Sequence, residues 1–184
     1  YLKVGIVEEP DYKDELAGLC RFWSTKSGDQ YTSLADYVGR MQANQTQIFY
    51  VTGDGKQAAA MSPVLEKLRS LDYEVLYMTE PLDELTAQSI AAFKGDAGED
   101  GAPAEYDLVD AAKEDLSGLD ALQSEDELKE LEAKRESLED LCGWIKEALG
   151  SKVTKVDVSG RLTSSPAALV QSSYGMSPTM QRYM

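Results

Sequence analysis

Residues Glu74–Leu85 read EVLYMTEPLDEL. Val75, Leu76, Tyr77 and Met78 form a short apolar run bounded by polar residues, the pattern of a buried strand. Within three residues the chemistry changes. Pro81 suits the first position of a helix, because its missing N–H would be unpaired there anyway. Asp83 and Glu84 follow in the first turn, where carboxylates meet the positive end of the helix dipole. The stretch predicts a strand running straight into a helix, with Glu80, Asp83 and Glu84 clustered at the junction. Ligand sites of open α/β sheets sit at such junctions. The acids therefore read either as a helix start or as the catalytic carboxylates of a small α/β hydrolase using Glu80 and Asp83.

Working outward, Gln47–Thr52 (QIFYVT) predicts another strand, closed by Gly53-Asp54-Gly55. Helices are expected over residues 56–60, 64–71 and 81–93. Thr32 or Ser33 can cap a further helix carrying Leu34, Tyr37, Val38 and Met41 on one face. Leu2, Val4 and Ile6 alternate with Lys3 and Gly5, which predicts a short strand. Leu16, Leu19, Cys20 and Trp23 repeat at helical spacing, which predicts a helix over Asp11–Ser24. This alternation describes a small three-layer parallel α/β domain, its strands buried by helices on both faces.

After Phe93 the character changes. Lys94–Pro103 is Gly- and acid-rich and reads as a flexible loop. Tyr106, Leu108 and Val109 predict a brief edge strand. Glu125–Leu149 predicts one long connecting helix with a seam of Leu128, Leu131, Leu138, Cys142, Ile145 and Leu149. Ser124 and Glu127 form a capping box at its start and Gly150 suits its end. Val153, Val156 and Val158 predict a strand, Ala168–Val170 another, and Ser177-Pro178 the start of a last helix. This region reads as a truncated mixed α/β domain.

Charge and composition exclude several functions. The chain has 33 acidic and 18 basic residues among 184, a net charge of −15. Nucleic acid and anionic membranes need a basic surface, so neither is expected as a partner. Between Asp96 and Asp140 stand 17 acids and 4 bases, a block that reads as a solvated face or linker. The chain has no histidine, which excludes Ser–His–Asp nucleophiles and imidazole zinc sets. Cys20 and Cys142 make neither a disulfide framework nor a CxxC pair. Gly53-Asp54-Gly55-Lys56 lacks the spacing of a phosphate loop. Tyr174, Met176, Met180, Tyr183 and Met184 crowd the last eleven residues. They read either as a core helix or as an adaptable apolar surface, since Met is unbranched and polarizable.

Three stretches, YTSLADYVGRM (Tyr31–Met41), EVLYMTEPLDE (Glu74–Glu84) and RLTSSPAALVQSSYG (Arg161–Gly175), together resemble the heat shock protein 90 family of molecular chaperones. The opening LKVGIVEE and the strand IFYVTG resemble its middle domain. The similarity runs over nearly the whole chain except residues 95–123. The resemblance implies that residues 1–117 are the last, small α/β part of a middle domain and residues 118–184 the start of a C-terminal domain. Both ends read as cuts through a longer protein.

The parent would be an ATP-dependent clamp that assists folding of client proteins, with cochaperones as further partners. Its ATP and Mg would sit in an N-terminal domain outside this chain, and its homodimer contact beyond Met184. The resemblance thus implies no cofactor, metal or catalytic residue here, and a monomeric fragment. Trp23, Tyr174, Met176, Met180, Tyr183 and Met184 are the client-surface candidates. Ala167 and Met176 stand where the family usually has Cys and Trp, and Thr179, Gln181 and Tyr183 where it has Asn, Glu and Ile. Trp144, Arg161-Leu162-Thr163 and Ala168-Leu169-Val170 look closer to the endoplasmin branch, which would place the parent in the endoplasmic reticulum lumen rather than the cytoplasm.

Overall fold

A computed structural model describes residues 1–43, 45–97, 103–113 and 125–170. Its centre is a five-stranded mixed sheet of order β1-β3-β2-β5-β4. The strands are β1 (Trp23–Ser24), β2 (Gln47–Thr52), β3 (Val75–Met78), β4 (Ala92–Ala97) and β5 (Pro103–Asp110). The inner three run parallel, with Phe49 opposite Val75 and Ile48 opposite Leu108. Both outer strands are antiparallel to their neighbours.

Alternation along the strands builds two cores. Ile48, Tyr50, Leu76 and Met78 face one cluster with Ile6, Ala17, Phe22, Leu34, Tyr37, Ala87 and Ile90. Phe49, Val51, Val75 and Tyr77 face the other, with Ala59, Val64, Leu65 and Leu68. The first is covered by α1 (Leu2–Glu8), α2 (Lys13–Leu19), α3 (Leu34–Gly39) and α6 (Pro81–Ile90). The second is covered by α4 (Lys56–Ala60), a 3-10 turn (Pro63–Leu65) and α5 (Glu66–Ser70). The predicted three layers and the strand–helix junction at Pro81 are present.

Several elements differ from the pattern reading. The Leu2–Ile6 stretch is helix α1. A period of two would send Lys3 and Ile6 to opposite sides, whereas a helix turns both toward α6, where Ile6 is buried and Lys3 meets acids. The helix predicted through Trp23 stops at Leu19. Cys20 turns extended, and Phe22 exchanges backbone hydrogen bonds with Thr32. α6 ends at Ile90, and Phe93 lies in β4, whose pairing with β5 extends into the stretch read as a loop. β5 is an eight-residue interior strand rather than a brief edge.

The long helix is two helices, α7 (Glu125–Ser137) and α8 (Glu139–Leu149). At the break the Ser137 hydroxyl donates to the Lys134 carbonyl, 3.0 Å away, which also accepts from the Leu138 N–H. Such back-bonding bends helices. Gly150 ends α8 with a positive φ of 58°. Val153, Val156, Val158 and Ala168–Val170 are irregular, with no partner strand among the described residues. Ser124 of the capping box and the helix expected from Ser177 lie outside the described residues.

The glycine turn after β2 has two separate causes. Gly55 needs its positive φ of 95°, but Gly53 is held by close approach: a Cβ there would meet the Ala59 backbone N at 2.8 Å. Gly53→Ala should therefore push α4 off the sheet and cost about 2 kcal/mol. A urea midpoint within error of the parent would refute this.

Candidate functional site

The strand–helix junction spends its acids on structure. Asp83 is 2% exposed, and its Oδ2 accepts the Thr79 and Glu80 N–H groups, both at 2.9 Å. Its Oδ1 lies 2.5 Å from the Lys3 ammonium, which also donates to Glu80 Oε2 at 2.8 Å. Burial works against the Lys3 charge, but hydrogen bonds to Asp83 and Glu80 outweigh it and hold the ammonium above its usual pKa. Asp83 thus starts α6 and clamps α1 to it. This geometry fills the positions that a hydrolytic carboxylate would need for substrate or water.

A second buried carboxylate went unread in the sequence. Glu74, 3% exposed, accepts from Arg40 at both oxygens, at 2.8 and 3.0 Å, and from the Ser24 hydroxyl at 2.5 Å. Tyr37 donates its hydroxyl to the Glu74 carbonyl at 2.6 Å and accepts the Phe49 N–H at 3.1 Å. These bonds let a charge sit under the sheet without an unpaired atom. The sequence shows only a lone Glu abutting a four-residue apolar run; the cation that meets it, Arg40, comes from 34 residues earlier and is itself partly exposed.

Asp110, at the C-terminal end of β5, is less well served. It is 3% exposed. Its Oδ1 accepts the Ala112 N–H at 2.9 Å, while Oδ2 has no hydrogen-bond partner among the described residues. Burial raises its pKa to about 6; the Ala112 N–H and Lys113 work to lower it, and Glu84 adds to the rise. It lines a shallow open depression of ≈ 390 Å³ with Tyr50, Ala87, Gln88 and Ala91. Among the described residues no group of three or more acids and cysteines could hold a metal.

The turn at Gly53 offers no phosphate cradle. Gly53 packs on Ala59, and Lys56 donates to the Gly28 carbonyl at 2.7 Å and to Asp29 at 3.0 Å. These residues do not fit an ATP site.

Trp23, expected on a helix, lies half-buried on β1. Tyr31 lies against it with ring centroids 4.0 Å apart, and the Lys56 ammonium stands 4.3 Å from its ring centroid. Tyr31 is 59% exposed and was not among the sequence candidates. Tyr174, Met176, Met180, Tyr183 and Met184 lie outside the described residues. The most exposed large apolar group on a described helix is on α8, where Trp144 is 65% and Leu141 49% exposed. Neither belongs to the seam read from the sequence; of that seam, Cys142 and Ile145 on the same helix are half-buried and Leu149 is exposed.

The fold and these sites define a mixed α/β unit in which Asp83 and Glu74 are tied into the structure and whose candidate surfaces are aromatic and aliphatic. All 184 residues match the family model described as Hsp90 protein. The chain is 42% identical over its whole length to heat shock protein 90-5, chloroplastic, of Arabidopsis thaliana, covering 22% of that protein. It is 39% identical over 98% of its length to the chaperone protein HtpG of Mycolicibacterium vanbaalenii, covering 26%. The solved middle domain of a Plasmodium falciparum heat shock protein aligns with 60% of this chain and 43% of its own, at 38% identity and a TM-score of 0.51. The chain belongs to the Hsp90 family. It spans about a quarter of the length of these curated relatives. They are plastid and bacterial proteins, and the endoplasmin resemblance gains no support from them.

Proposed function

We propose that this chain is the junction between the middle and C-terminal domains of an ATP-dependent chaperone, with the boundary near residue 117. Residues 1–117 supply the α/β unit, and residues 118–184 begin the next domain. On this reading ATP and Mg bind in another domain of the parent, dimerisation uses another segment, and this chain transmits clamp motion while offering surface to clients and cochaperones. The chain alone is then monomeric and does not turn over ATP.

The observation that supports a client surface is the exposed face of α8, with Leu141 and Trp144 accessible on a helix that has no fully buried residue. Exposed apolar patches of this kind mark contact sites for other macromolecules. Leu141→Ser with Trp144→Ser should weaken binding of a labelled, permanently unfolded polypeptide at least about fivefold, a loss of about 1 kcal/mol or more. Fluorescence anisotropy reads the affinity. The same comparison with Met176→Ser and Met180→Ser tests the C-terminal candidates. Unchanged affinity in both pairs would reject the client-surface reading.

A further inference from the structure

One contact joins residues almost a hundred positions apart and has no part in either core. Glu66 opens α5 with its carboxylate at the surface. Its Oε2 accepts the Thr163 N–H at 2.7 Å, the Ser164 N–H at 2.8 Å and the Thr163 hydroxyl at 3.1 Å. Its Oε1 accepts the Ser164 hydroxyl at 3.0 Å, the Ser165 N–H at 3.2 Å and the Ser165 hydroxyl. Three consecutive amides and three hydroxyls thus converge on one side chain.

The segment that supplies them belongs to no helix or strand, so no ladder holds it. Two further anchors flank the convergence. Arg161 donates to the Lys113 carbonyl at 2.6 Å, just past the end of β5. Ala168 packs half-buried against the cluster under α4 and α5. The strap from Arg161 to Ala168 therefore crosses from the end of the sheet to the start of α5.

We infer that Glu66 is a latch residue: its carboxylate holds the Thr163-Ser164-Ser165 strap against the α/β unit, and releasing that one side chain frees the strap while leaving the sheet intact. This deepens, and rests on, the reading of the chain as an interdomain junction. Hydrogen bonds to a charged acceptor are stronger than neutral ones. Here they share a single acceptor, so they are lost together rather than one by one. The hydroxyl of Ser165 and the amides of Ser164 and Thr163 also hold the Glu66 carboxyl far below the usual carboxylate range, so the latch stays charged in mild acid. A glutamine in its place keeps the shape, but its NH2 group faces donors and cannot accept.

Hydrogen exchange of the full chain tests the latch. In Glu66→Gln, the amides of residues 163–165 should exchange at least tenfold faster, while those of β2 and β3 keep their protection. Ser164→Asp, which sets a second carboxylate beside the first, should do the same by repulsion. Unchanged protection at residues 163–165 in both variants would overturn the latch. So would equal acceleration in β2 and β3, because Glu66 would then hold the fold rather than the strap. Neither readout depends on client binding, so failure of the chaperone reading leaves a separate signature.

Discussion

Asp83→Ala is expected to destabilise the α/β unit by about 3–5 kcal/mol, the cost of breaking a buried ion pair from one side. The substitution leaves the Lys3 ammonium facing a buried gap and strips the Thr79 and Glu80 amides of their acceptor. Glu80 keeps hold of Lys3, but its side chain is 63% exposed and screened by solvent. The melting temperature should fall by on the order of 10 °C. α1 should also lose exchange protection, since Lys3 joins it to α6. Lys3→Met, which removes the charge and keeps most of the stem, should recover part of the loss in the Asp83→Ala background. A loss below about 1 kcal/mol for Asp83→Ala would show that water reaches Lys3 and that the clamp is ornamental.

Asp110→Asn is expected to act in the opposite sense, and only at the right pH. Asp110 has its pKa raised from the usual 3.8 to about 6 in the folded chain. The folded state therefore favours the neutral acid. Above pH 6 the fold carries the full penalty of the charge; the penalty shrinks as pH falls from about 6 toward 3.8 and is gone below it. Two pKa units correspond to about 3 kcal/mol. Asparagine keeps an oxygen for the Ala112 N–H and removes the charge beside Glu84 and Tyr50. Its unpartnered NH2 group offsets part of the gain, leaving about 2 kcal/mol at pH 8 and little at pH 4. Chemical denaturation of both proteins at the two pH values checks this. A variant equally stabilised at both would place the cause in packing rather than in charge.

The two carboxylates show how far residues and spacing reach. Asp83 was legible as a helix start because Pro81 and two acids in the first turn leave few alternatives. Its pairing with Lys3 was not legible, because Leu2–Ile6 alternates like a strand and only contact with α6 selects the helix. Glu74 and Asp110 border the apolar runs of their strands, yet nothing local shows that Arg40 satisfies one while the other keeps an oxygen with no hydrogen-bond partner among the described residues. Trp23 carries the same lesson. Its spacing from Leu16 and Leu19 suits a helix, but pairing with Tyr77 on β3 outweighs that periodicity.

Local sequence alone settled strands β2 and β3, the helix start at Pro81, the acidic imbalance and the family resemblance. Each of these depends on residues within a few positions of one another or on a run of motif. Tertiary structure alone decided the antiparallel outer strands, the helical form of the first residues and the strap on Glu66. Those features depend on hydrogen bonds and burial between segments far apart in sequence, and no local pattern records which distant group will meet them.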